Sequence, residues 1–201
     1  MISAAIHGFI LAFGLILPLG VQNVFVFNQG ATQPKWTNAL PVVLTAALCD
    51  TLLISLAVLG ISAVVLEISF LKFTLSVIGI AFLLYMGYVT WKSKPSSEGN
   101  SVQLFSSRKQ ITFAASISLL NPHAIMDTVG VIGTSSLAYT GIEKAVFTIV
   151  CIFVSWLWFF GLSIAGRWVG KFDLTGNFIN TLNKISAVIM WGTVVYLVVS
   201  L

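Results

Sequence analysis

Charged residues are scarce in this chain: only 8% of its 201 residues are Asp, Glu, Lys or Arg, whereas 58% are hydrophobic. A soluble globular domain carries about a quarter charged residues, so this chain has too few of them to cover a water-exposed surface. The composition therefore predicts an integral membrane protein. It leaves no segment of comparable size for a separate soluble domain.

Cysteine and metal-binding motifs are also nearly absent. Cys49 and Cys151 stand alone in apolar segments, and the sequence has no CxxC, no HExxH and no His-rich loop. We expect both cysteines to be small buried side chains. We expect neither a disulfide nor a cofactor or metal site. A membrane enzyme is disfavoured, because no plausible nucleophile–base pair is visible.

The first residues, Met1–His7, contain no Lys or Arg. A secretory signal has a positively charged start, so we expect the first apolar run to be retained as a membrane span. Six apolar runs approach or exceed the roughly 20 residues that a transmembrane helix needs. They are Ile2–Phe27, Ala39–Leu66, Phe73–Trp91, Ile111–Leu137, Ala145–Ala165 and Phe178–Leu201.

Basic residues are distributed unevenly between the two sides that six spans define. The loops near 28–38, 92–110 and 166–184 share one side, and the opposite side has only Lys72 and Lys144. The residues on the first side are Lys35, Lys92, Lys94, Arg108, Lys109, Arg167, Lys171 and Lys184. The positive-inside rule makes that side cytoplasmic and places both termini outside a cell membrane. These loops also account for the net charge of +4, so no nucleic-acid partner is needed.

A polar loop, 93–110, divides the single predicted domain (1–201) into two parts, 1–92 and 111–201, with three spans each. An odd number of spans per half requires two similar halves to be inverted in the membrane, as in many secondary transporters. Four residue pairs support a duplication at nearly one spacing: Pro18 and Pro122 (104 residues apart), Asn23 and Asp127 (104), Gly30 and Gly133 (103), and Gly87 and Gly192 (105). The predicted fold is all-α, with six transmembrane helices in two inverted three-helix repeats.

Two prolines interrupt apolar runs, and we expect helices 1 and 4 to be broken there. Pro18 precedes Gly20, Gln22 and Asn23, whereas Pro122 follows Asn121. Proline disrupts a helix, and the residue before it leaves helical geometry. Inside a membrane, such breaks are tolerated where they face protein or a water-filled cavity. The helix starts after the prolines would offer free N–H groups to a carboxylate. A simple packing kink, with amides that bond neighbouring helices, is the alternative.

Only two acidic residues lie deep in predicted spans, Asp50 in the second and Asp127 in the fourth. A central aspartate costs about 2.5–3.5 kcal/mol on insertion scales, and no deep Lys or Arg offsets it. Each is therefore a candidate cation site or proton carrier, or else a structural carboxylate bonded to hydroxyls or backbone. His123 could relay protons, because imidazole titrates near neutral pH, or could simply pack. Together these features predict a transporter of a small zwitterion with an extra positive charge.

The stretch Leu17–Gly30, LPLGVQNVFVFNQG, resembles the first-span signature of the LysE family of amino-acid exporters, particularly its lysine- and arginine-exporting branch. Cys49–Thr51, Leu120–His123 with Asp127–Thr128, and Ser155–Gly161 are also similar to that branch. The resemblance implies a cytoplasmic-membrane exporter of L-arginine or L-lysine that is driven by ion or membrane-potential gradients. With the two inverted helix starts, the expected mechanism is alternating access at a midplane site.

The residues and the resemblance together suggest a candidate site. The substrate-binding candidates are Pro18, Gly20, Gln22, Asn23, Asp50, Asn121, Pro122 and Asp127; those for proton or ion coupling are Asp50, Asp127 and His123. The lipid bilayer and a small-molecule substrate are the expected partners, and a homo-oligomer is left open. An exporter of neutral amino acids or of another small metabolite is the alternative. Metal cargo is disfavoured because only two acids are deep and no loop is rich in His or Cys.

Overall fold

A computed structural model of the chain describes residues 1–17, 20–60, 69–92, 105–120, 125, 128–172 and 177–200. All regular secondary structure in these residues is helical, which confirms the all-α prediction for this part of the chain. The helices are α1 (Ile2–Ile16), α2 (Val21–Thr32), α3 (Leu40–Val58), α4 (Ser69–Lys92), α5 (Ser107–Leu119), α6 (Thr134–Ser136), α7 (Gly141–Phe172) and α8 (Asn177–Ser200). A 3-10 turn, Trp36–Ala39, leads into α3, and a π-helical turn, Thr128–Gly133, leads into α6.

Local sequence signals explain several helix ends. Pro41 lies in the first turn of α3, where the missing N–H of proline costs no hydrogen bond. Gly60 follows the end of α3 with a φ of +76°, a conformation that glycine adopts without a steric penalty. Ser106 caps α5, because its hydroxyl accepts a hydrogen bond from the backbone N–H of Lys109 at 3.4 Å.

Among the described residues, two helical segments are long and apolar enough to cross a bilayer, Trp36–Val58 with 23 residues and Gly141–Lys171 with 31. A third candidate span is formed by α1 and α2 if they are counted together. The axes of these two helices are bent by 79° relative to each other. These segments fit a membrane protein, whereas the count of six spans remains a prediction. The predicted breaks at Pro18 and Pro122 fall outside the described residues.

Helix α7 is central to the packing, because it contacts α1, α2 and α3. Its contact with α2 is unusually close: a methyl group added at Gly30 would collide with the backbone carbonyl of Ser163. Methyl groups at Gly166 and Gly170 would collide with backbone carbonyls of α2 in the same way. Small residues at such positions let two membrane helices approach until their backbones touch. The α2–α7 contact therefore depends on glycine from both helices.

The buried apolar side chains form two clusters. The first apolar cluster joins α2, α3, α4, α5, α7 and α8 and includes Val26, Ala47 and Phe159. The second joins α1, α3, α7 and the π-helical turn and includes Ile54 and Val154. Along α3 and α7, the clusters meet near the middle of each helix. Polar side chains at that junction are thus surrounded by apolar packing on both sides.

Candidate substrate site

A polar cluster lies where the two apolar clusters meet, and Asp50 of α3 is its centre. The Ser155 hydroxyl of α7 donates a hydrogen bond to one Asp50 carboxylate oxygen, Oδ2, at 2.8 Å. The Gln22 amide of α2 donates to the other oxygen, Oδ1, at 3.3 Å. Ser155 is only 3% exposed, and Asp50 and Gln22 are partly buried. Three helices therefore converge on one carboxylate.

A second hydrogen bond joins α3 and α7 one residue further along both helices. The Trp156 indole N–H donates to the Thr51 hydroxyl at 3.0 Å. The Thr51 hydroxyl in turn donates to the backbone carbonyl of Ala47 at 2.7 Å. The two consecutive links fix the rotation and the depth of α3 relative to α7 at the level of Asp50.

The first turn of α2 borders this cluster. Gly20 precedes the helix in an extended conformation, with φ −77° and ψ 174°, and no side chain caps the helix start. The first backbone hydrogen bond of α2 runs from the N–H of Val24 to the carbonyl of Gly20 at 3.1 Å. The N–H groups of the preceding turn have no acceptor within the helix, and they carry the positive end of its dipole. The Gln22–Asp50 bond brings an anionic group to this helix start.

Asn23 links the two helices of the bent first segment. Its side-chain amide donates to the backbone carbonyl of Ile16, in the last turn of α1, at 2.7 Å. Carbonyl groups in the last turn of a helix lack a partner within that helix. One Asn23 donor therefore has the interhelical role that the sequence left open as an alternative.

The structure brings together two of the predicted site residues, Gln22 and Asp50, and positions Gly20 and Asn23 in the adjoining turn. The other candidates, Pro18, Asn121, Pro122, His123 and Asp127, lie outside the described residues. Sequence reasoning overlooked Ser155, Thr51 and Trp156 as site residues. A usable signal existed, because Ser155 follows Asp50 by 105 residues, close to the spacing of the predicted duplication.

The Asp50 carboxylate has the capacity to bind a cation. A carboxylate offers about four lone-pair positions, and the two described donors occupy two of them. Within the described residues, no ion pair involves Asp50, and no three His, Cys, Asp or Glu side chains are close enough to hold a metal ion. Cys49 and Cys151 are buried, as predicted. These groups suit hydrogen bonding to an organic cation such as an ammonium or guanidinium group.

A separate polar network lies beyond the other end of α2, about 18 Å away along its 12 residues. The guanidinium group of Arg167 donates to the carbonyls of Gln33 at 2.7 Å and Pro34 at 2.8 Å. The side-chain amides of Gln33 and Gln110 both donate to the carbonyl of Phe105, at 3.1 and 3.0 Å. This network joins α7, α5 and the end of α2 on the side with the basic loops.

Comparison with known proteins agrees with the family resemblance. The family model described as LysE type translocator matches residues 13–201. The protein named "Putative amino-acid transporter YisU" of Bacillus subtilis is 54% identical over 199 residues, which cover 99% of this chain and 90% of the relative. The arginine exporter proteins ArgO of Salmonella paratyphi A and Salmonella typhimurium are each 34% identical over 198 residues, 95% of this chain and 91% of the relative.

No solved structure matches the chain. The family match covers nearly the whole sequence, and the relatives are named as transporters rather than enzymes. The predicted transporter role is thereby confirmed, and the chain belongs to the LysE family of translocators.

Proposed function

We propose that this chain exports L-arginine and L-lysine from the cytoplasm by alternating access at a site halfway across the membrane. The observation that carries the proposal is Asp50, a carboxylate at the junction of two apolar clusters with two neutral hydrogen-bond donors. A carboxylate in such a place is costly, and a cationic substrate would offset that cost. Relatives that are 34% identical and named arginine exporters support the same cargo.

The proposed roles follow the charges of a basic amino acid. Its side-chain cation would bind Asp50, beside Gln22. Its carboxylate would approach the start of α2, where Gly20 leaves the first N–H groups without acceptors in the helix. Asn23 would orient the substrate at this turn.

The second half of the chain would complete the site. Asn121 and Pro122 would present a second helix start to the substrate carboxylate, as Pro18 does in the first half. Asp127 and His123 would take part in substrate binding or in coupling to a proton or another ion, and Asp50 shares that candidacy. These assignments rest on the sequence and on the predicted duplication.

The packing of the helices supports the inverted repeats 1–92 and 111–201, joined by the loop 93–110. In such a duplication, α3 corresponds to α7, α4 corresponds to α8, and α5 with the π-helical turn corresponds to α1 with α2. The contacts follow this rule, since α1 and α2 contact α7, whereas α5 and the π-helical turn contact α3. The helices of the pairs α3–α7 and α4–α8 contact each other.

Two glycine contacts also support a correspondence between the predicted halves, now at the level of single residues. Gly30 approaches the backbone of Ser163 in α7, and Gly133 approaches the backbone of Ala57 in α3. Because 133 − 30 = 103 and 163 − 57 = 106, the members of the two contacts correspond to within about two residues of the predicted spacing. Two inverted helix starts would then meet near the middle of the membrane, where Asp50 would also lie.

We further propose a cytoplasmic-membrane protein with six spans, cytoplasmic basic loops and both termini outside. Labelling of single cysteines introduced at either terminus, in intact cells with a membrane-impermeant reagent, tests this orientation. Labelling only after the membrane is permeabilised would contradict it.

An exporter of neutral amino acids, or of another small metabolite, is the second candidate. The relative that is 54% identical carries a name that specifies an amino-acid transporter and no particular substrate. In that case, Asp50 would serve ion coupling or structure rather than cargo recognition.

Counterflow into proteoliposomes tests the function. Vesicles with purified protein are preloaded with arginine, lysine or leucine, and uptake of the same radiolabelled compound is measured against protein-free vesicles. Counterflow of arginine or lysine is expected. Flux of leucine without flux of either basic amino acid would overturn the proposal and favour the second candidate.

A further inference from the structure

Two neighbouring contacts join residues that the predicted duplication makes equivalent. Asp50 contacts Ser155, Thr51 contacts Trp156, and both pairs are separated by 105 residues. Gly87 and Gly192 have the same separation, and the prolines differ by 104. Equivalent positions of two related halves come into direct contact only at the axis that relates the halves. Asp50 and Ser155 are then partners across that axis.

We propose that Ser155 is a positioning residue for substrate recognition: it holds the Asp50 carboxylate on the axis between the halves, where that carboxylate binds the cationic group of the substrate. The substrate class rests on the proposed function, whereas the pairing of Ser155 with Asp50 does not. Ser155 acts through Asp50 and need not touch the substrate.

The geometry explains why the hydroxyl controls the carboxylate. The Ser155–Asp50 hydrogen bond is 2.8 Å long, and its donor is almost completely buried. The other described donor, the Gln22 amide, is 3.3 Å away and therefore weaker. Hydrogen bonds to ionised acceptors are short and roughly twice as strong as neutral ones. Without Ser155, the longer bond from Gln22 would be the one described contact that orients the carboxylate.

Serine also suits position 155 because it carries no charge, whereas Asp50, the equivalent residue of the first half, does. A second carboxylate at position 155 would lie within hydrogen-bond distance of the first, and like charges so close disfavour ionisation of both. A hydroxyl in that place leaves one negative charge on the axis and supplies a donor to it. When two halves exchange their conformations during alternating access, groups on the axis move least. One carboxylate can thus face the substrate from either side of the membrane.

Replacement of Ser155 by alanine is expected to preserve the fold. The change removes one oxygen, and the adjacent Trp156–Thr51 hydrogen bond still joins α7 to α3. Ser163 provides a matched control, because it is a fully buried serine in the same helix whose hydroxyl has no hydrogen-bond partner in the part of the chain that the structure describes.

The experiment compares Ser155→Ala, Ser155→Thr and Ser163→Ala with the unaltered protein in arginine counterflow. We expect Ser155→Ala to raise the KM for arginine about tenfold, as loss of an oriented contact to a charged group would, with a much smaller change in maximal rate. Ser155→Thr retains the hydroxyl and should recover most of the affinity. Ser163→Ala should leave the KM unchanged. Combined with Asp50→Asn, Ser155→Ala should have no further effect, since it acts through the carboxylate.

A second measurement does not depend on the substrate. The infrared band of the Asp50 carboxyl group, identified as the band that Asp50→Asn removes, should shift in Ser155→Ala and stay in place in Ser163→Ala. A shifted band in a protein that carries no basic amino acid would contradict the proposed function and leave the pairing intact. An unshifted band, or an additive effect in the double variant, would overturn the positioning role.

Discussion

Asp50→Asn removes the negative charge of the polar cluster and almost preserves its shape. The hydrogen bonds can adapt, because the Gln22 amide can turn its oxygen towards the new NH2 group, and the Ser155 hydroxyl can donate to the new carbonyl oxygen. Loss of a buried charge also removes a desolvation cost. We therefore expect the variant to fold and to insert into the membrane normally.

The effect on transport should depend on the charge of the substrate. A hydrogen bond to a charged group contributes about 1.5–3 kcal/mol, and each 1.4 kcal/mol corresponds to a factor of ten in affinity. The KM for arginine should therefore rise about ten- to hundredfold. The KM for any neutral amino acid that the protein carries should change little, because such a substrate has no side-chain cation to lose a partner.

The assay is counterflow with a range of arginine concentrations, in vesicles that contain equal amounts of each variant. Glu143→Gln is the matched control, since it neutralises an exposed carboxylate at the start of α7, far along that helix from Ser155. It should leave arginine transport unchanged. If the unaltered protein carries arginine and Asp50→Asn does so with the same KM, the proposed cation site at Asp50 is refuted.

Three further variants test the scaffold around the site. Gly30→Ala should reduce the yield of folded protein, because the added methyl group collides with the backbone of α7 and overpacking of this kind costs about 1–3 kcal/mol. Its control in a thermal-unfolding assay is Gly161→Ala, whose added methyl group meets nothing within 4 Å. Arg167→Lys keeps the charge but cannot reach two carbonyls with one planar group. It should therefore lower the unfolding temperature in the same assay nearly as much as Arg167→Ala does. Equal stability of Arg167→Lys and the unaltered protein would contradict this. Asn23→Ala removes the side-chain amide that donates to the carbonyl of Ile16, and it should destabilise the protein by about 0.6–1.7 kcal/mol. The free energy of unfolding is measured in detergent, and Gly161→Ala, which should leave it unchanged, is the control.

Family membership could be predicted from the sequence, and Asp50 could be singled out as a candidate, because both depend on local facts. Long apolar runs indicate lipid, since few other environments stabilise them. A single acid within such a run is conspicuous whatever it contacts. The all-α fold and the transporter class followed from these signals and from the first-span motif, and both are confirmed.

The partners of Asp50 were harder to predict. A helix that is apolar on all sides, such as α3 or α7, has no polar stripe to indicate which face points towards a neighbour. Without that rotation, the Ser155–Gly161 motif does not show whether Ser155 or Ser163, two buried serines eight residues apart in α7, points towards Asp50. The predicted spacing of 103–105 residues between the halves also relates Ser155 to Asp50, but this relation is long-range and no local pattern contains it.

The sequence by itself determined three things: that the chain suits a lipid environment, which family it belongs to, and that Asp50 is an acid within an apolar run. It could do so because hydrophobicity and motifs are properties of neighbouring residues. Only the tertiary structure decided which side chains hold that acid. Ser155 and Gln22 are 105 and 28 residues away from it, and they reach it because three helices cross at one depth with the required rotation. That crossing depends on glycine contacts between backbones, such as the contact of Gly30 with α7, which no local pattern specifies.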